Sequence, residues 1–176
     1  ISALLANDIQ LVSSAGDLLA AAALRGGDTV MIAGVVNKGL QRIMTIPEIK
    51  TPADLKGKRV GITRIGAVSQ VVLLMMLQRW KMNPSDVQVM QVGSSSNMLV
   101  SLDKKGIEAA VLTIPSMFIA EDRGYRVLLD MADTDIFYLH TMIGTTRSYL
   151  KNNRDKVSRY LKGFLEGLAF VKQHRK

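Results

Sequence analysis

The chain has no cysteine. That excludes disulfides, thiolate metal sites and a cysteine nucleophile, and leaves the cellular compartment open. Histidine is almost as scarce: His140 and His174 are the two in 176 residues, which leaves little for acid–base or metal chemistry. No uninterrupted apolar run exceeds seven residues, far short of the ~20 that a membrane-spanning helix needs. Gly-x-Gly-x-x-Gly, Gly-x-x-x-x-Gly-Lys-Ser/Thr, His-Glu-x-x-His and Gly-x-Ser-x-Gly are all absent, so the common nucleotide, zinc-protease and serine-hydrolase motifs are missing. No signal peptide is visible; Ile1 is no natural start, and the sequence is expected to continue upstream.

What is present is an ordinary globular composition, 48% apolar and 22% charged, of a length for one domain or two small lobes. The net charge of +8 is concentrated at the end: residues 151–176 carry +6, against +2 for the 150 before them. A basic helix with few aromatics reads as a solvated face rather than a nucleic-acid surface, and nucleic acid is set aside as a partner.

Residues 58–92 organise the chain. A β-branched run at 58–62 leads into the polar turn Thr63-Arg64-Ile65-Gly66-Ala67-Val68-Ser69. The stretch 70–80 is too long, and too rich in Leu and Met, for a second strand, so a helix is predicted; 87–92 is apolar again after Asn83-Pro84. Strand, loop, helix and strand over this length make a βαβ unit with parallel strands. In open sheets of such units, ligands lie beyond the carboxyl ends of the strands, where helix N-termini offer free N–H groups. Elsewhere we predict strands at 9–12, 29–36, 107–112 and 126–130, and helices at 17–24, 98–105, 117–123 and 154–173. Residues 40–46 and 136–146 read as extended. The small-residue loops Ser13-Ser14-Ala15-Gly16, Gly93-Ser94-Ser95-Ser96-Asn97 and Thr113-Ile114-Pro115-Ser116 precede helices, with Pro115 suited to a first helical position.

Residues 3–33 lie over 101–131 without a gap, at an offset of 98, with identities at Leu4/Leu102, Ile9/Ile107, Ala22/Ala120, Arg25/Arg123 and Gly26/Gly124. Five identities alone are weak, but the order of strand, loop, helix, Gly stop and strand is shared. The repeat predicts two similar α/β lobes, with the loops at 13–16 and 113–116 as counterparts. The unit at 58–92 has no partner at that offset, so the first lobe is expected to lack its opening strand, helix and strand.

Three stretches carry a family resemblance: Ile49-Lys50-Thr51-Pro52-Ala53-Asp54-Leu55-Lys56-Gly57-Lys58-Arg59-Val60-Gly61, Gly106-Ile107-Glu108-Ala109-Ala110 with Pro115, and Gly124-Tyr125-Arg126-Val127-Leu128. The closing segment, from Thr145-Thr146-Arg147 to Phe164-Leu165-Glu166-Gly167-Leu168-Ala169, adds a fourth. Together they resemble the substrate-binding proteins of ABC importers for nitrate, sulfonates, taurine and thiamine-pyrimidine precursors (NMT1/THI5-like). The resemblance implies an α/β type II periplasmic-binding-protein fold, with two lobes closing on a ligand cleft and the first lobe incomplete. It implies lobe I at 1–52 and 140–176, lobe II at 53–139, and hinge strands near 40–46 and 139–146. The implied protein is a monomer without cofactor, periplasmic or anchored outside the membrane, that passes a small organic or anionic solute to an ABC permease. A ligand-sensing domain of a regulator or sensor is the alternative reading. An enzyme of pyrimidine synthesis is a further one, although those relatives use a cysteine-rich motif.

A cleft of this kind needs polar groups that converge on a small ligand. The candidates are Ser13 and Ser14 in one lobe; Thr63, Arg64, Gly66, Ala67, Ser69, Ser94, Thr113 and Pro115 in the other; and Thr141 near the hinge. For the serines, helix capping is the bland alternative, and for Arg64 a solvated surface position is. Ala67 stands where the family often has a hydroxyl, which points to a larger or less polar ligand. The Met-rich stretch 71–82 and Trp80 are assigned to the core.

Overall fold

The structure is a computed structural model that describes residues 1–174. In chain order the elements are α1 (Ser2–Leu5), β1 (Val12–Ser14), α2 (Gly16–Leu24), β2 (Thr29–Val36), β3 (Arg42–Thr45), β4 (Arg59–Ile62) and α3 (Val68–Arg79). They continue as β5 (Gln88–Gln91), α4 (Ser95–Asp103), β6 (Ala109–Leu112), α5 (Ser116–Asp122), β7 (Arg126–Asp130), β8 (Thr141–Thr146), α6 (Arg147–Asn152) and α7 (Arg154–Gln173). Two compact units result: Ile1–Asn37 with Tyr138–Lys176, of which 175 and 176 lie outside the described residues, and Lys38–Phe137.

The second unit is a five-stranded sheet in the order β5-β4-β6-β3-β7. The βαβ unit expected at 58–92 is there: β4 pairs parallel with β5, from Arg59↔Gln88 to Ile62↔Gln91, and parallel with β6 on its other side. β3 runs antiparallel between β6 and β7. Strand alternation sorts the core into two layers. Ile43, Val60, Ile62, Ala109 and Val111 meet Val72, Leu73, Met76 and Leu77 of α3. Met44, Ala110 and Leu112 face the other way, onto Met98, Leu99 and Leu102 of α4 and Met117 and Ala120 of α5. Helices thus cover both faces, which is why every residue of β6 is buried. Gly61 lets α4 come close: a Cβ there would stand 2.6 Å from Ile107 Cδ1 and 3.3 Å from Met98.

The first unit is a three-stranded sheet, β1-β8-β2, with β8 antiparallel to both neighbours. Its arrangement reproduces β6-β3-β7. At the offset of 98, the residues of β1 fall on 110–112. The pairs Val12↔Gly144, Ser13↔Ile143 and Ser14↔Met142 correspond to Ala110↔Met44, Val111↔Ile43 and Leu112↔Arg42.

Some elements differ from expectation. The strand predicted at 9–12 begins at Val12 and includes Ser13 and Ser14, because these residues find partners on β8. Pro115 caps α5 rather than opening it, and the helix starts at Ser116. The segment 38–52, assigned from sequence to lobe I, contains β3, which is bonded on both sides within the second unit. On α7 Val157 is buried, whereas Tyr160, Leu165 and Leu168 are exposed.

Two ionic clusters hold the second unit. Arg42 donates from Nε to Asp130 (2.5 Å) and from Nη1 to Glu121 (2.7 Å), and its guanidinium lies 5.1 Å from the Phe118 ring centroid. Central strand β3 is thereby tied to α5 and to β7. Arg59 and Glu108 form a forked pair, and the Arg59 N–H also donates to Glu108 Oε2 (2.8 Å). These bonds from Arg59 hold the Glu108 carboxyl below its ordinary range.

Arg42→Met should lower stability by about 1–3 kcal/mol, read as a reduced urea midpoint at constant slope, since half-buried Asp130 loses its cation. Because the Glu108 pKa is depressed in the folded state, its contribution is present above the unfolded value of ~4.3 and is lost as pH falls through the folded one. Melting temperature should therefore fall more steeply below about pH 4 in the parent than in Glu108→Gln.

Candidate functional site

In the second unit β4, β5 and β6 are mutually parallel, so the loops after them emerge at one edge of the sheet. These loops hold Thr63 to Ala67, Val92 to Ser94, and Thr113 to Pro115. Eight of the residues picked out from sequence, Thr63, Arg64, Gly66, Ala67, Ser69, Ser94, Thr113 and Pro115, therefore share that edge.

The β4–α3 loop is held open by side chains. The buried Ser69 hydroxyl accepts from the Thr63 N–H (3.0 Å) and lies 2.8 Å from Thr63 Oγ1. The Ile65 N–H donates to Gln91 Oε1 (3.0 Å) and the Gly66 N–H to Gln70 Oε1 (2.7 Å). Gly66 turns the loop at φ +79°, where a side chain would be strained. Gln70 and Gln91, which motif reading missed, anchor this loop. Gln70 could have been found from its spacing, four residues after Gly66 and in the first turn of the helix; Gln91 carries no local signal, since it reaches the loop from a neighbouring strand.

The electrostatics follow from what caps each helix. α3 has Ala67 at its N-cap, no side-chain cap and no acidic residue in its first turn. The Gln70 N–H donates to the Ala67 carbonyl (2.9 Å), which leaves the Val68 and Ser69 N–H groups and the helix dipole to favour negative charge. Arg64 is exposed beside it and, among the described residues, has no ion-pair partner. Ser94, in contrast, spends its hydroxyl on the Asn97 N–H (3.1 Å), as a cap of α4. Ser95 Oγ and Thr113 Oγ1 lie 3.3 Å apart and link the β5 and β6 loops. Exposed Ile65 and Ile114 add apolar surface to these loops.

In the first unit, Ser14 and Thr141 come to one end of the sheet: Ser14 pairs with Met142, and Thr141 pairs with Val36. Ser13 is exposed on β1. The Thr141 hydroxyl lies 3.0 Å from His140 Nδ1, and burial pushes the His140 pKa down. Among the described residues no cluster of three or more His, Asp or Glu could hold a metal ion. No helix among them is long and apolar enough to cross a membrane.

Known proteins share this arrangement. The chain is 26% identical over 114 residues to a Brachyspira hyodysenteriae protein named as an ABC transporter periplasmic binding protein; the match takes in 65% of this chain and 32% of that one. The crystal structure of the periplasmic aliphatic sulphonate binding protein SsuA from Escherichia coli superimposes with a TM-score of 0.83 at 25% identity. That superposition covers 99% of this chain and 60% of SsuA. The chain thus spans about a third and three fifths of these two relatives. The fold also carries catalysis elsewhere: the desulfurization enzyme DSZB matches with a TM-score of 0.71 at 14% identity, over 93% of this chain and 63% of that one. The α/β architecture is that of the periplasmic binding proteins. The family model for NMT1/THI5-like proteins matches residues 1–176 from end to end, and the chain belongs to that family.

Proposed function

We propose that the chain is part of an extracytoplasmic binding protein that hands a small organic anion to the permease of an ABC importer. The observation that carries this reading is the uncapped, acid-free end of α3, with exposed Arg64 beside it and the Thr63, Ser95 and Thr113 hydroxyls on the same sheet edge. Such groups offer hydrogen bonds and positive potential, and they hold an anion without transferring a proton to it. The second unit's loops contain neither Cys nor His, which favours binding over the catalysis that the fold supports in DSZB.

In this reading Thr63, Arg64, Gly66, Ala67, Thr113 and Pro115 touch the solute. Ser69 acts by holding the loop, and Ser94 by capping α4. Ser13, Ser14 and Thr141 are the contacts offered by the first unit. The two compact units serve as the two lobes, and the protein acts as a monomer outside the cytoplasmic membrane. The family relatives named for sulfonates make an organic sulfonate the first solute to try.

Calorimetry on the complete protein with a series of alkanesulfonates tests the reading: saturable binding at one site is expected, and no heat with any sulfonate, carboxylate or nitrate would refute it. Two variants separate contact from support. Arg64→Ala should weaken binding by about tenfold with an unchanged melting temperature, as loss of one charge-assisted contact implies. Ser69→Ala should lower stability by about 1–3 kcal/mol, because the Thr63 N–H loses its buried acceptor, and should weaken binding through the loosened loop.

A further inference from the structure

The loops at the edge of the second unit's sheet share a composition. Residues 63–70, 92–98 and 113–119 include no Asp or Glu, and Arg64 is their one charged side chain. α3, α4 and α5, which begin there, all lack an acid in the first turn. Elsewhere in the same unit acids occupy such places: the single turns Pro52–Leu55, Pro84–Asp86 and Met131–Asp133 have Asp54, Asp86 and Asp133 in theirs. Carboxylates are thus kept from the edge where the three helices start.

Gln70 shows that stability does not account for this. It is the third residue of α3, the position from which a Glu or Gln side chain commonly reaches back to cap a helix. Its Oε1 accepts from the Gly66 N–H (2.7 Å). A glutamate could accept the same bond, and the helix dipole would favour its charge; the amide forgoes that stabilisation. Because a main-chain N–H can only donate, the oxygen is the end at Gly66, and Nε2 with its two N–H groups is the free end. Among the described residues nothing accepts from it. The side chain is half-buried and belongs to the same first turn as the Val68 and Ser69 N–H groups.

We propose that Gln70 touches the solute through Nε2 and makes the site select anions that carry no proton of their own over equally charged ones that do. The assignment rests on the solute-binding reading and adds a specificity-determining residue to it. A fully ionised oxyanion group offers acceptors alone, and here it meets donors in Nε2, Arg64 and the Val68 and Ser69 N–H groups. An acid that keeps one hydroxyl, such as a singly ionised phosphonate, brings a donor of its own. No carboxylate stands at this edge to accept from that hydroxyl. A donor left facing a donor in a partly buried site forfeits binding.

The test is calorimetry on the complete protein with 1-butanesulfonate and with butylphosphonate, at a pH where the phosphonate carries a single charge. The two probes then share tail and charge and differ by one hydroxyl. The parent should favour the sulfonate by about tenfold. Gln70→Glu keeps an oxygen for the Gly66 N–H and turns the free end into an acceptor. Its melting temperature should match or exceed the parent's, and the preference should vanish or reverse. A negative charge acting only from a distance would weaken both monoanions alike. Equal weakening, or no change in either, would therefore overturn the assignment and leave the solute-binding reading intact. So would a parent that binds the probes equally or prefers the phosphonate. Should Gln70→Glu melt below the parent, Gln70→Met decides: it lacks the amide, adds no charge, and should weaken the sulfonate by about tenfold and the phosphonate by less. Equal loss of both probes, or loss of neither, would overturn the assignment there too. Failure of both probes to bind the parent would remove the reading for sulfonates and this assignment with it.

Discussion

In each unit one strand is hydrogen-bonded on both sides by strands that run against it, and the rest of the fold depends on that placement. β3 lies between β6 and β7, and β8 lies between β1 and β2. Neither strand is a neighbour in sequence of both its partners, so the pairings close long loops whose entropic cost must be offset by burial. The second unit shows how: Ile43 and Met44 are fully buried on opposite faces, and Arg42 ties the strand to β7 and α5. With β3 so held, the β6–α5–β7 segment has one register available, because a slip by one residue would send Ile43 and Met44 to the wrong layers.

That constraint also determines where chemistry can occur. Parallel β4, β5 and β6 place three helix starts at one sheet edge, and what those starts offer depends on their caps. Ser94 satisfies α4 locally, whereas Ala67 leaves α3 unsatisfied. The methyl group at 67 therefore does more than make the site less polar, as the sequence alone implied. It leaves the first amide hydrogens of α3 without a side-chain cap, while Gln70, Gln91 and Ser69 hold the loop beside them. In the first unit α2, the counterpart of α5 at the offset of 98, carries the acidic Asp17 in its first turn.

Much of this was legible in the residues, for identifiable reasons. The βαβ unit at 58–92 announced itself because its helix is long and its strands are β-branched and flanked by Gly, Pro and polar turns. The repeat at an offset of 98 was visible through only five identities, yet it pointed to two similar α/β lobes, and the pair registers on β8 and β3 match at that offset. What was not legible is long-range. Residues 12–14 looked like the end of a strand and the start of a loop, and only β8, about 130 residues away, makes them a strand. Likewise the glutamines that anchor the β4–α3 loop act from a neighbouring strand and a helix turn.

The residues that carry the family resemblance and the residues proposed to meet the solute are different residues. The stretch Thr51-Pro52-Ala53-Asp54-Leu55 is a capping box: the Asp54 carboxylate accepts from the Thr51 N–H (2.8 Å) and from its hydroxyl (2.9 Å), with Pro52 at the first position of the turn. Leu55 is fully buried in the core, and Gly57 adopts φ +73° to turn the chain into β4. Glu108, in the second stretch, binds Arg59 of the first, and Tyr125, in the third, donates to Asp103 (2.9 Å). All of these lie away from the loops that carry Arg64 and Thr113. They build the sheet and its turns, and a shared sheet says nothing of what is bound. The positions proposed to meet the solute, Arg64 and Ala67 among them, lie in the loop after β4 and can change without disturbing a single strand pairing.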